Sequence, residues 1–469
     1  MCTLLIPYFC LFDNLYYYTH TYIYLLVYII KLSFFLFYKG YNLIHLIAKR
    51  VCVIGAGYSG LGTARYLSEY GLNYTVFEAS RHIGGTWRFD PHVGTDEDGL
   101  PLFTSMYKQL RTNTPRQTME YDGYPFPEDT PSYPAGTCFH KYLKAFAKHF
   151  NLLKNIQVQS LVTLVKWAGD QWNLTYTRTG TKENVTEVCD FVVVASGEYS
   201  SPVWPKICKL LTGKMIHSHD YREPEPYRNR RVLLVGAGAS GLDLATHLSN
   251  VTAKLVHSHH LRYNQPQFGP DYVKKPDIKT FTPNGVTFED DSSEEIDDVI
   301  FCTGYNFHHR FLDESSGVTK SKKFVLPLYQ HTVNIKRPTM AFVGVSMKVI
   351  NRVIAGQYVA ALAAGKFELP SQEEMLRSWL DHVYSLRRQG LKIVHVNVIN
   401  DMDQYFGNLT REAGVVRAPP VLTAIRDFNA KNRLDDLLHY RDYDYKLIDD
   451  NNYERWYNHR DELPCPVDV

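Results

Sequence analysis

Two copies of one glycine pattern constrain the fold of this chain more than any other feature of its sequence. The first copy, Gly55 to Gly60, reads Gly-Ala-Gly-Tyr-Ser-Gly and directly follows the apolar run Val-Cys-Val-Ile. The second, Gly236 to Gly241, reads Gly-Ala-Gly-Ala-Ser-Gly and follows the run Val-Leu-Leu-Val. Each reads as a buried strand, a tight turn and a helix N-terminus, an arrangement that holds a pyrophosphate. Two such units predict two bound dinucleotides, and hence flavin and nicotinamide redox chemistry.

The residues after each copy distinguish the two sites. Glu78 lies 18 residues after the first copy, at the end of a predicted second strand, where a carboxylate suits ribose hydroxyls. The same offset after the second copy reaches His259, within Ser-His-His-Leu-Arg, which has no carboxylate. Hydroxyl and cationic donors suit a ribose 2′-phosphate, so the second site is predicted to bind NADP(H). The alternative, that this stretch is an ordinary solvated strand end, stays open.

Composition excludes several function classes. The net charge of +2 and the 21% of charged residues give no indication of a nucleic-acid partner. The chain has eight cysteines but no Cys-x-x-Cys pair, so zinc ribbons and redox-active dithiols are disfavoured and no metal site is predicted. Cys52 and Cys302 lie in apolar runs and are predicted to be core thiols, as in a protein of a reducing compartment. The five Asn-x-Ser/Thr sequons are interpreted as chance; they begin at Asn73, Asn173, Asn184, Asn250 and Asn408.

The N-terminal stretch differs from the rest of the chain. Residues 14–38 are rich in Tyr, Leu and Ile and are interrupted by one charge, a length that suffices to span a bilayer. The Lys and Arg residues that follow predict a cytosolic catalytic body, with anchoring to the endoplasmic reticulum membrane. The same residues are encoded by AT-rich codons, so the stretch is also consistent with non-coding sequence that has been translated by mistake. Residues 1–48 therefore stay open between a membrane anchor and a gene-model artefact.

Five further segments resemble, in order and spacing, the motifs of the flavin-containing monooxygenases, from about residue 49 onward. They are Arg81–Trp87 (Gly-Gly-Thr-Trp), Leu110–Pro115 (Thr-Asn), Tyr124–Pro127 (aromatic and proline), Leu211–Tyr221 (Phe-x-Gly-x-x-x-His-x-x-x-Phe/Tyr) and Phe301–Tyr305 (Phe-Ala-Thr-Gly-Tyr). Leu211 replaces the usual Phe and Cys302 the usual Ala. In Baeyer–Villiger relatives the last position of the fourth motif is Trp; here it is Tyr221, which favours oxygenation of heteroatoms.

The resemblance implies a set of binding residues. The predicted FAD contacts are Gly55, Ala56, Gly57, Tyr58, Ser59, Gly60, Glu78, Gly85, Thr86, Trp87, Thr112 and Asn113. The predicted NADP(H) contacts are Gly236, Gly238, Ala239, Ser240, Gly241, Ser258, His260 and Arg262. The family-motif positions are Gly213, His217, Tyr221, Thr303 and Gly304. Asn113 is also predicted to act in catalysis, as a hydrogen-bond donor near the oxygenated flavin; elsewhere an Asn before Thr-Pro would be a turn residue.

The resemblance also implies a reaction and a domain order. NADPH and O2 would be used to oxygenate a soft N or S atom of a small molecule through a flavin C4a-hydroperoxide. The alternatives are a reductase or oxidase without oxygen transfer, a Baeyer–Villiger enzyme and a silent flavoprotein; the oligomeric state stays open. The fold is predicted to be α/β with two Rossmann-like domains, the NADP domain inserted into the FAD domain. The predicted bounds are 49–200, 201–305 and 306–469, with a solvated surface segment from Asp427 to Glu454.

Overall fold

The computed structural model describes residues 50–206, 213–307, 309–346 and 353–469. The predicted anchor or artefact at residues 1–48, and Leu211 of the fourth motif, lie outside the described residues. The helices within these ranges are α1 (Tyr58–Glu69), α2 (Gly136–His149), α3 (Ala239–Leu248), α4 (Val353–Ala363), α5 (Gln372–Arg388), α6 (Met402–Ala413) and α7 (Pro420–Asp435). None of these described helices is both long and apolar enough to cross a membrane.

The strands of the described ranges are, in chain order, β1 (Val51–Ile54), β2 (Tyr74–Phe77), β3 (Ile156–Gln157), β4 (Ser160–Trp167), β5 (Trp172–Arg178), β6 (Asn184–Cys189), β7 (Phe191–Val194), β8 (Lys214–His217), β9 (Arg231–Val235), β10 (Lys254–Ser258), β11 (Tyr272–Lys275), β12 (Ile278–Thr282), β13 (Gly285–Phe288), β14 (Ser293–Glu295), β15 (Asp298–Phe301), β16 (Thr319–Lys320), β17 (Val325–Leu326), β18 (Leu328–Tyr329), β19 (Val333–Asn334), β20 (Met340–Phe342), β21 (Tyr443–Leu447) and β22 (Tyr453–Tyr457).

The first glycine pattern belongs to a seven-stranded sheet with the order β18-β19-β20-β7-β1-β2-β3. Strand β1 lies inside this sheet and pairs in parallel with β2 and β7. One face of this sheet packs on α1, α2 and α4, and the other on the three-stranded sheet β4-β5-β6. All four residues of β1 are buried because both faces of the sheet are covered.

The second glycine pattern belongs to a five-stranded sheet with the order β11-β10-β9-β15-β8. Its strands are all parallel, and β9 pairs with β10 on one side and β15 on the other. All five lie between β7 and β18 in the chain, so this unit interrupts the first one. The predicted α/β fold, with one dinucleotide-binding unit inserted into the other, is confirmed.

Two disulfides correct the prediction of reduced cysteines. Cys52 in β1 is bonded to Cys189 at the end of β6, with the Cα atoms 5.9 Å apart. Cys138 in α2 is bonded to Cys465 near the C-terminus, with the Cα atoms 5.6 Å apart. Cys302 is a buried free thiol, as predicted, and burial raises its pKa to about 12. Cys52 was predicted to be a thiol from its apolar neighbours alone, and apolar surroundings suit a disulfide equally well.

The segment from Asp427 to Glu454 is predicted to be a solvated surface segment, and this prediction is wrong for several of its residues, although others, such as Lys431 and Asp449, are exposed. Asn429, Tyr440 and Tyr445 within it are only 2–3% exposed. Tyr440 and Tyr445 join the same hydrophobic core as Leu242 of α3. The alternating charges suggested solvent, but the aromatic residues between them drive burial because each removes a large apolar area from water.

Candidate active site

The two glycine turns have matching backbone geometry. Gly55 has φ +104° and Gly236 has φ +98°, a conformation that L side chains rarely adopt. A Cβ atom on Gly55 would lie 2.6 Å from the carbonyl oxygen of Ala195, and one on Gly236 would lie 2.7 Å from that of Cys302. These first glycines are therefore required by the approach of a neighbouring strand end to the turn.

The third glycine of each pattern is required by the turn itself. A Cβ atom on Gly60 would lie 1.8 Å from the carbonyl oxygen of Gly55. The matching atom on Gly241 would lie 1.9 Å from the carbonyl oxygen of Gly236. Neither position can accept a side chain without moving the backbone, so their glycines serve the fold.

The second glycine of each pattern is different, because the protein leaves space beside it. A Cβ atom on Gly57 would have its nearest contact at 3.7 Å, and one on Gly238 would contact nothing within 4 Å. Both residues are helix N-caps, of α1 and α3, and neither helix end receives a side-chain cap. Helix N-termini that have no side-chain cap, at glycines without a close protein contact, fit the pyrophosphates of FAD and NADP(H).

Glu78 holds the first turn in place. One carboxylate oxygen accepts from the backbone N–H of Ala56 at 2.8 Å. The other accepts from the backbone N–H and the hydroxyl of Ser80, each at 3.0 Å. Burial raises the pKa of Glu78, although these hydrogen bonds favour its ionised form. The predicted ribose contact would use the lone pairs that remain.

The Gly-Gly-Thr-Trp segment lies against the first turn. The backbone N–H of Gly84 donates to the carbonyl of Ala56 at 2.9 Å, and Gly85, with φ +57°, faces Gly57. The carbonyl of Thr86 accepts from the Thr104 hydroxyl at 2.8 Å. The Trp87 ring packs on Phe139, with the ring centroids 4.3 Å apart. The structure therefore brings the predicted FAD residues of both segments together.

Of the predicted residues of the first turn, Tyr58 directs its side chain into the protein, and Ser59 bonds within the helix through its backbone. The Tyr58 ring stacks on Tyr121, with the centroids 4.9 Å apart. The carbonyl of Ser59 accepts from the hydroxyl of Thr63 in the next helical turn. A contact between Tyr58 and the cofactor would therefore use its backbone.

The loop that carries Thr112 and Asn113 is held by the C-terminal segment. The carbonyl of Thr112 accepts from Nε of Arg441 at 3.0 Å. The carbonyl of Asn113 accepts from Nδ2 of Asn429 at 2.9 Å, and Asn429 in turn accepts from the Tyr133 hydroxyl at 2.7 Å. The Asn113 side chain itself is exposed. Its backbone is thus fixed while its amide is directed outward.

A buried charge network connects this loop to helix α3. Asp243, on α3, forms an ion pair with Arg441 and accepts a hydrogen bond from the Tyr107 hydroxyl. Burial would raise the pKa of Asp243, but the Arg441 charge outweighs it and the pKa is lowered. No local sequence pattern marks Asp243, Arg441 and Tyr107 as partners, because they lie far apart in the chain.

In the second unit, His259 occupies the position that Glu78 occupies in the first. The backbone N–H of Gly55 donates to the residue before Glu78 at 2.8 Å, and that of Gly236 donates to the residue before His259 at 2.9 Å. His259 is 5% exposed, and neither ring nitrogen has a hydrogen-bond partner among the described residues. Burial, together with nearby positive charges, lowers its pKa to about 4, so the ring is neutral.

The three predicted 2′-phosphate contacts differ in availability. The Ser258 hydroxyl is buried and donates to the carbonyl of Pro276 at 2.7 Å. The His260 side chain is 90% exposed, and its Nδ1 lies 3.5 Å from a carboxylate oxygen of Asp277. Arg262 is exposed. His260 and Arg262 are therefore the donors that can reach a ligand.

The last two motifs meet at the carboxyl edge of the second sheet. Phe301 and His217 pair across β15 and β8, and the His217 ring lies 5.2 Å from the Tyr305 ring. The Thr303 hydroxyl donates to the carbonyl of Val203 at 2.5 Å. Gly304, with φ +80°, directs the chain out of the strand, and Gly213 immediately precedes β8. Burial lowers the pKa of His217 to about 4.

Tyr221, which separates the subclasses in the fourth motif, is a core residue. It is 1% exposed and lies between Tyr107 and Tyr227, at ring distances of 5.6 and 5.9 Å. Because the Tyr107 hydroxyl donates a hydrogen bond to Asp243, Tyr221 at the end of the fourth motif packs beside the charge network.

Comparison with known proteins identifies relatives along most of the chain. A family model described as flavin-binding monooxygenase-like matches residues 48–261 and 270–426. Senecionine N-oxygenase of Tyria jacobaeae is 53% identical over 432 residues, which cover 90% of this chain and 94% of that protein. Flavin-containing monooxygenase 3 of Canis lupus familiaris is 30% identical over 414 residues, covering 70% and 76%.

Among solved structures, S-allyl-L-cysteine S-oxygenase from Allium sativum superposes with a TM-score of 0.78 at 27% identity, covering 85% of this chain and 96% of that one. The Tmm protein of Pelagibacter sp. superposes with a TM-score of 0.75 at 22% identity, covering 84% and 93%, a likeness that concerns the fold alone.

Proposed function

Because this chain belongs to the flavin-binding monooxygenase-like family, we propose that it transfers one oxygen atom from O2 to the nitrogen of a tertiary amine, with NADPH as reductant. The observation that carries this proposal is the 53% identity to a senecionine N-oxygenase along nearly the whole of both chains. The enzyme class itself is a flavin monooxygenase that oxygenates N or S atoms of small molecules, with FAD and NADP as cofactors.

The protein contributes binding and orientation, since FAD, when bound, supplies the electron transfer from NADPH and the activation of O2. Gly57, Glu78 and Gly85 would hold FAD, because Gly57 caps the first helix without a side-chain cap, Glu78 holds its turn in place and Gly85 lies against it. Gly238, His260 and Arg262 would hold NADP(H) at the second. The domain bounds that we propose are 49–200, 201–305 and 306–469.

We assign Asn113 the role of a neutral donor beside the reacting atoms. An amide can donate a hydrogen bond to developing negative charge without being ionised. The carbonyls of Thr112 and Asn113 are both held by side chains of the C-terminal segment, which fixes the backbone from which the amide projects. Such preorganisation means that little reorientation is needed when charge develops.

Disulfide reduction is a poorer fit to the thiols of this chain. Cys52 and Cys189 are each 0% exposed, so a substrate cannot reach them. Cys302 is also buried, and a raised pKa keeps it as the unreactive thiol. Within the described ranges these residues offer no accessible dithiol for exchange.

The deciding experiment compares a tertiary amine with a thioether. Purified full-length protein is incubated with NADPH and ¹⁸O2, and with either senecionine or methyl p-tolyl sulfide. Labelled N-oxide formed with the higher kcat/KM supports the proposal, and preferred sulfoxide formation would replace it with S-oxygenation. Formation of hydrogen peroxide without either labelled product would show that the protein is an oxidase and does not transfer oxygen to these substrates. Gly57→Val is the control for activity that does not depend on FAD.

We also propose that residues 1–48 are dispensable for this chemistry and that residues 14–38 associate with membranes. The family match begins at residue 48, and the first described strand begins at Val51. A chain starting at residue 48 should bind FAD and oxygenate the amine at the full-length rate. If only the full-length chain sediments with membranes, the anchor interpretation holds; equal distribution of both would contradict it.

A further inference from the structure

Two covalent links join segments that are far apart in this chain. The Cys52–Cys189 disulfide, across 137 residues, ties the inner strand β1 of the first sheet to the end of β6. The Cys138–Cys465 disulfide, across 327 residues, ties α2 to the C-terminal segment, where Val467 is 7% exposed in the same core. Each link requires two thiols to lose two protons and two electrons to a disulfide oxidant, which oxidising compartments supply and the cytosol does not.

An exposed glycosylation sequon lies on the strand that ends in one of these cysteines. Asn184 and Thr186 of the Asn184-Val185-Thr186 sequon are both exposed on β6. Residues two apart on a strand project from the same face, so both point away from the buried side of the sheet. The same outer face carries two exposed apolar side chains, Val188 (46% exposed) and Leu164 (40% exposed). Leu164 of β4 pairs with Thr175 of β5, and Thr175 in turn pairs with Thr186 of β6.

This sequon differs from the other four in the described structure. Asn173 and Asn408 are themselves half-buried. Asn73 and Asn250 are exposed, but the threonines of their sequons are half-buried or buried, Thr252 with its hydroxyl donating to the carbonyl of Leu248. Only at Asn184, among the described sequons, are both the acceptor and the hydroxyl residue exposed. Both side chains bond to the neighbouring strand, Asn184 accepting from the Thr177 hydroxyl at 2.7 Å and the Thr186 hydroxyl lying 2.9 Å from that of Thr175. A glycan attached there would lie over the outer face of the sheet.

We propose that this chain folds in an oxidising secretory lumen, where both disulfides form and an N-linked glycan is attached to Asn184. The proposal does not depend on the substrate. It opposes the cytosolic location predicted from the charges after residue 38, because a protein oxidised and glycosylated in this way has crossed the membrane. A glycan at Asn184 decides between the two locations, since oligosaccharyl transfer occurs on the luminal side only.

The test is expression of the full-length chain in insect cells, with free thiols blocked by N-ethylmaleimide before lysis. Peptide mapping without reduction should recover Cys52 joined to Cys189 and Cys138 joined to Cys465. Peptide N-glycosidase F should lower the mass of the chain and convert Asn184 to Asp in the wild-type peptide. This second readout needs no variant, so it does not depend on the folding of one.

Three variants show that the modification follows the sequon. Asn184→Gln and Thr186→Val should abolish the glycan at this site, and Thr186→Ser, which keeps a hydroxyl, should retain it. All four cysteines recovered as N-ethylmaleimide adducts would overturn the proposal. So would an Asn184 peptide that carries no glycan, whether or not another sequon is modified.

Discussion

The Nε atom of Arg441 donates a hydrogen bond to the backbone carbonyl of Thr112 at 3.0 Å, although 329 residues separate them in the chain. The same guanidinium pairs with Asp243 on α3, whose N-terminus is the second glycine turn. A single side chain therefore connects the proposed NADP(H)-binding helix to the loop beside Asn113.

Breaking the pair from either side should destabilise the protein strongly. Asp243→Asn leaves the positive charge of Arg441 buried without a partner. Arg441→Met leaves the negative charge of Asp243 buried without a partner. Side chains of these two residues are only 7% and 13% exposed, and loss of one partner of a buried pair costs about 3–5 kcal/mol. Urea unfolding of both variants measures the loss in the free energy of unfolding.

The double variant distinguishes pairing from general loss of packing. Asp243→Asn combined with Arg441→Met should cost less than the sum of the two single changes, by about 1 kcal/mol or more, because no unpartnered charge remains. Additive losses would mean that the two residues do not depend on each other. Flavin reduction by NADPH, followed by stopped-flow absorbance, should slow in each single variant that still binds FAD.

The parts of this site that sequence predicts are those made by neighbours in the chain. Each glycine turn is visible because strand, turn and helix are contiguous, and its third glycine is required by a contact within the turn itself. The first glycine of each turn is required by a distant strand end, at Ala195 or Cys302, which the local pattern does not show. The Arg441–Thr112 and Cys52–Cys189 contacts depend on the tertiary fold, so no spacing reveals them. Charged residues around Arg441 indicated solvent, since composition does not show which charges are paired and buried.

Substitution of the second glycines should remove cofactor binding and leave the fold intact. A Cβ atom fits at Gly57 and at Gly238 without a close protein contact, so a larger side chain would extend toward the place proposed for each pyrophosphate. Gly57→Val is expected to purify folded but without bound flavin. Gly238→Val is expected to keep FAD and to raise the KM for NADPH at least 10-fold. Flavin absorbance and circular dichroism measure these effects.

The third glycines provide the matched contrast to those changes. Gly60→Ala and Gly241→Ala should lower the thermal midpoint and the soluble yield, because their Cβ atoms would lie within 2 Å of a backbone oxygen. Full flavin content in Gly57→Val would show that FAD binds elsewhere.

NADPH should be strongly preferred over NADH, through the exposed Arg262. A charge-assisted contact to a phosphate contributes about 1.5–3 kcal/mol, which is roughly 10- to 150-fold in kcat/KM. Arg262→Ala should lower kcat/KM for NADPH by that factor and leave NADH use unchanged. Arg228→Ala, at an arginine paired with Glu225 in the same proposed domain, is the control that should change neither. Equal efficiency of NADH and NADPH in the wild type would contradict the assignment.

His257 should make the protein less stable in acid. Its Nε2 donates to the carbonyl of Gly236 at 2.9 Å, its Nδ1 accepts from the Tyr272 hydroxyl, and burial lowers its pKa to about 3. The unfolded chain, with a His pKa near 6.5, therefore binds a proton that the folded one does not, between about pH 6.5 and 3. Stability falls as pH decreases through that window, by about 1.4 kcal/mol per unit for this residue.

The measurement is the free energy of unfolding at several pH values from 7.5 to 5. His257→Asn should be less stable at neutral pH and should show a shallower loss toward acid. His149→Asn, at an exposed helix end, should keep the wild-type slope. Identical slopes for His257→Asn and the wild type would show that His257 does not contribute to acid sensitivity.

Asn113 should be needed for oxygen transfer and dispensable for FAD binding. Its backbone is held by Asn429, and its exposed amide is free to donate to a ligand. Removal of one preorganised donor of this kind costs about 10²–10³ in kcat. Asn113→Ala should therefore retain FAD, be reduced by NADPH at nearly the wild-type rate, and release more of its NADPH flux as hydrogen peroxide. Asn113→Gln, which restores an amide at a longer reach, should recover part of the coupling.

The yield of N-oxide per NADPH and the yield of peroxide per NADPH measure separately how much NADPH is used for oxygen transfer and how much is lost. If Asn113→Ala forms N-oxide at the wild-type rate with no added peroxide, Asn113 is a turn residue, and the donor must come from elsewhere in the site.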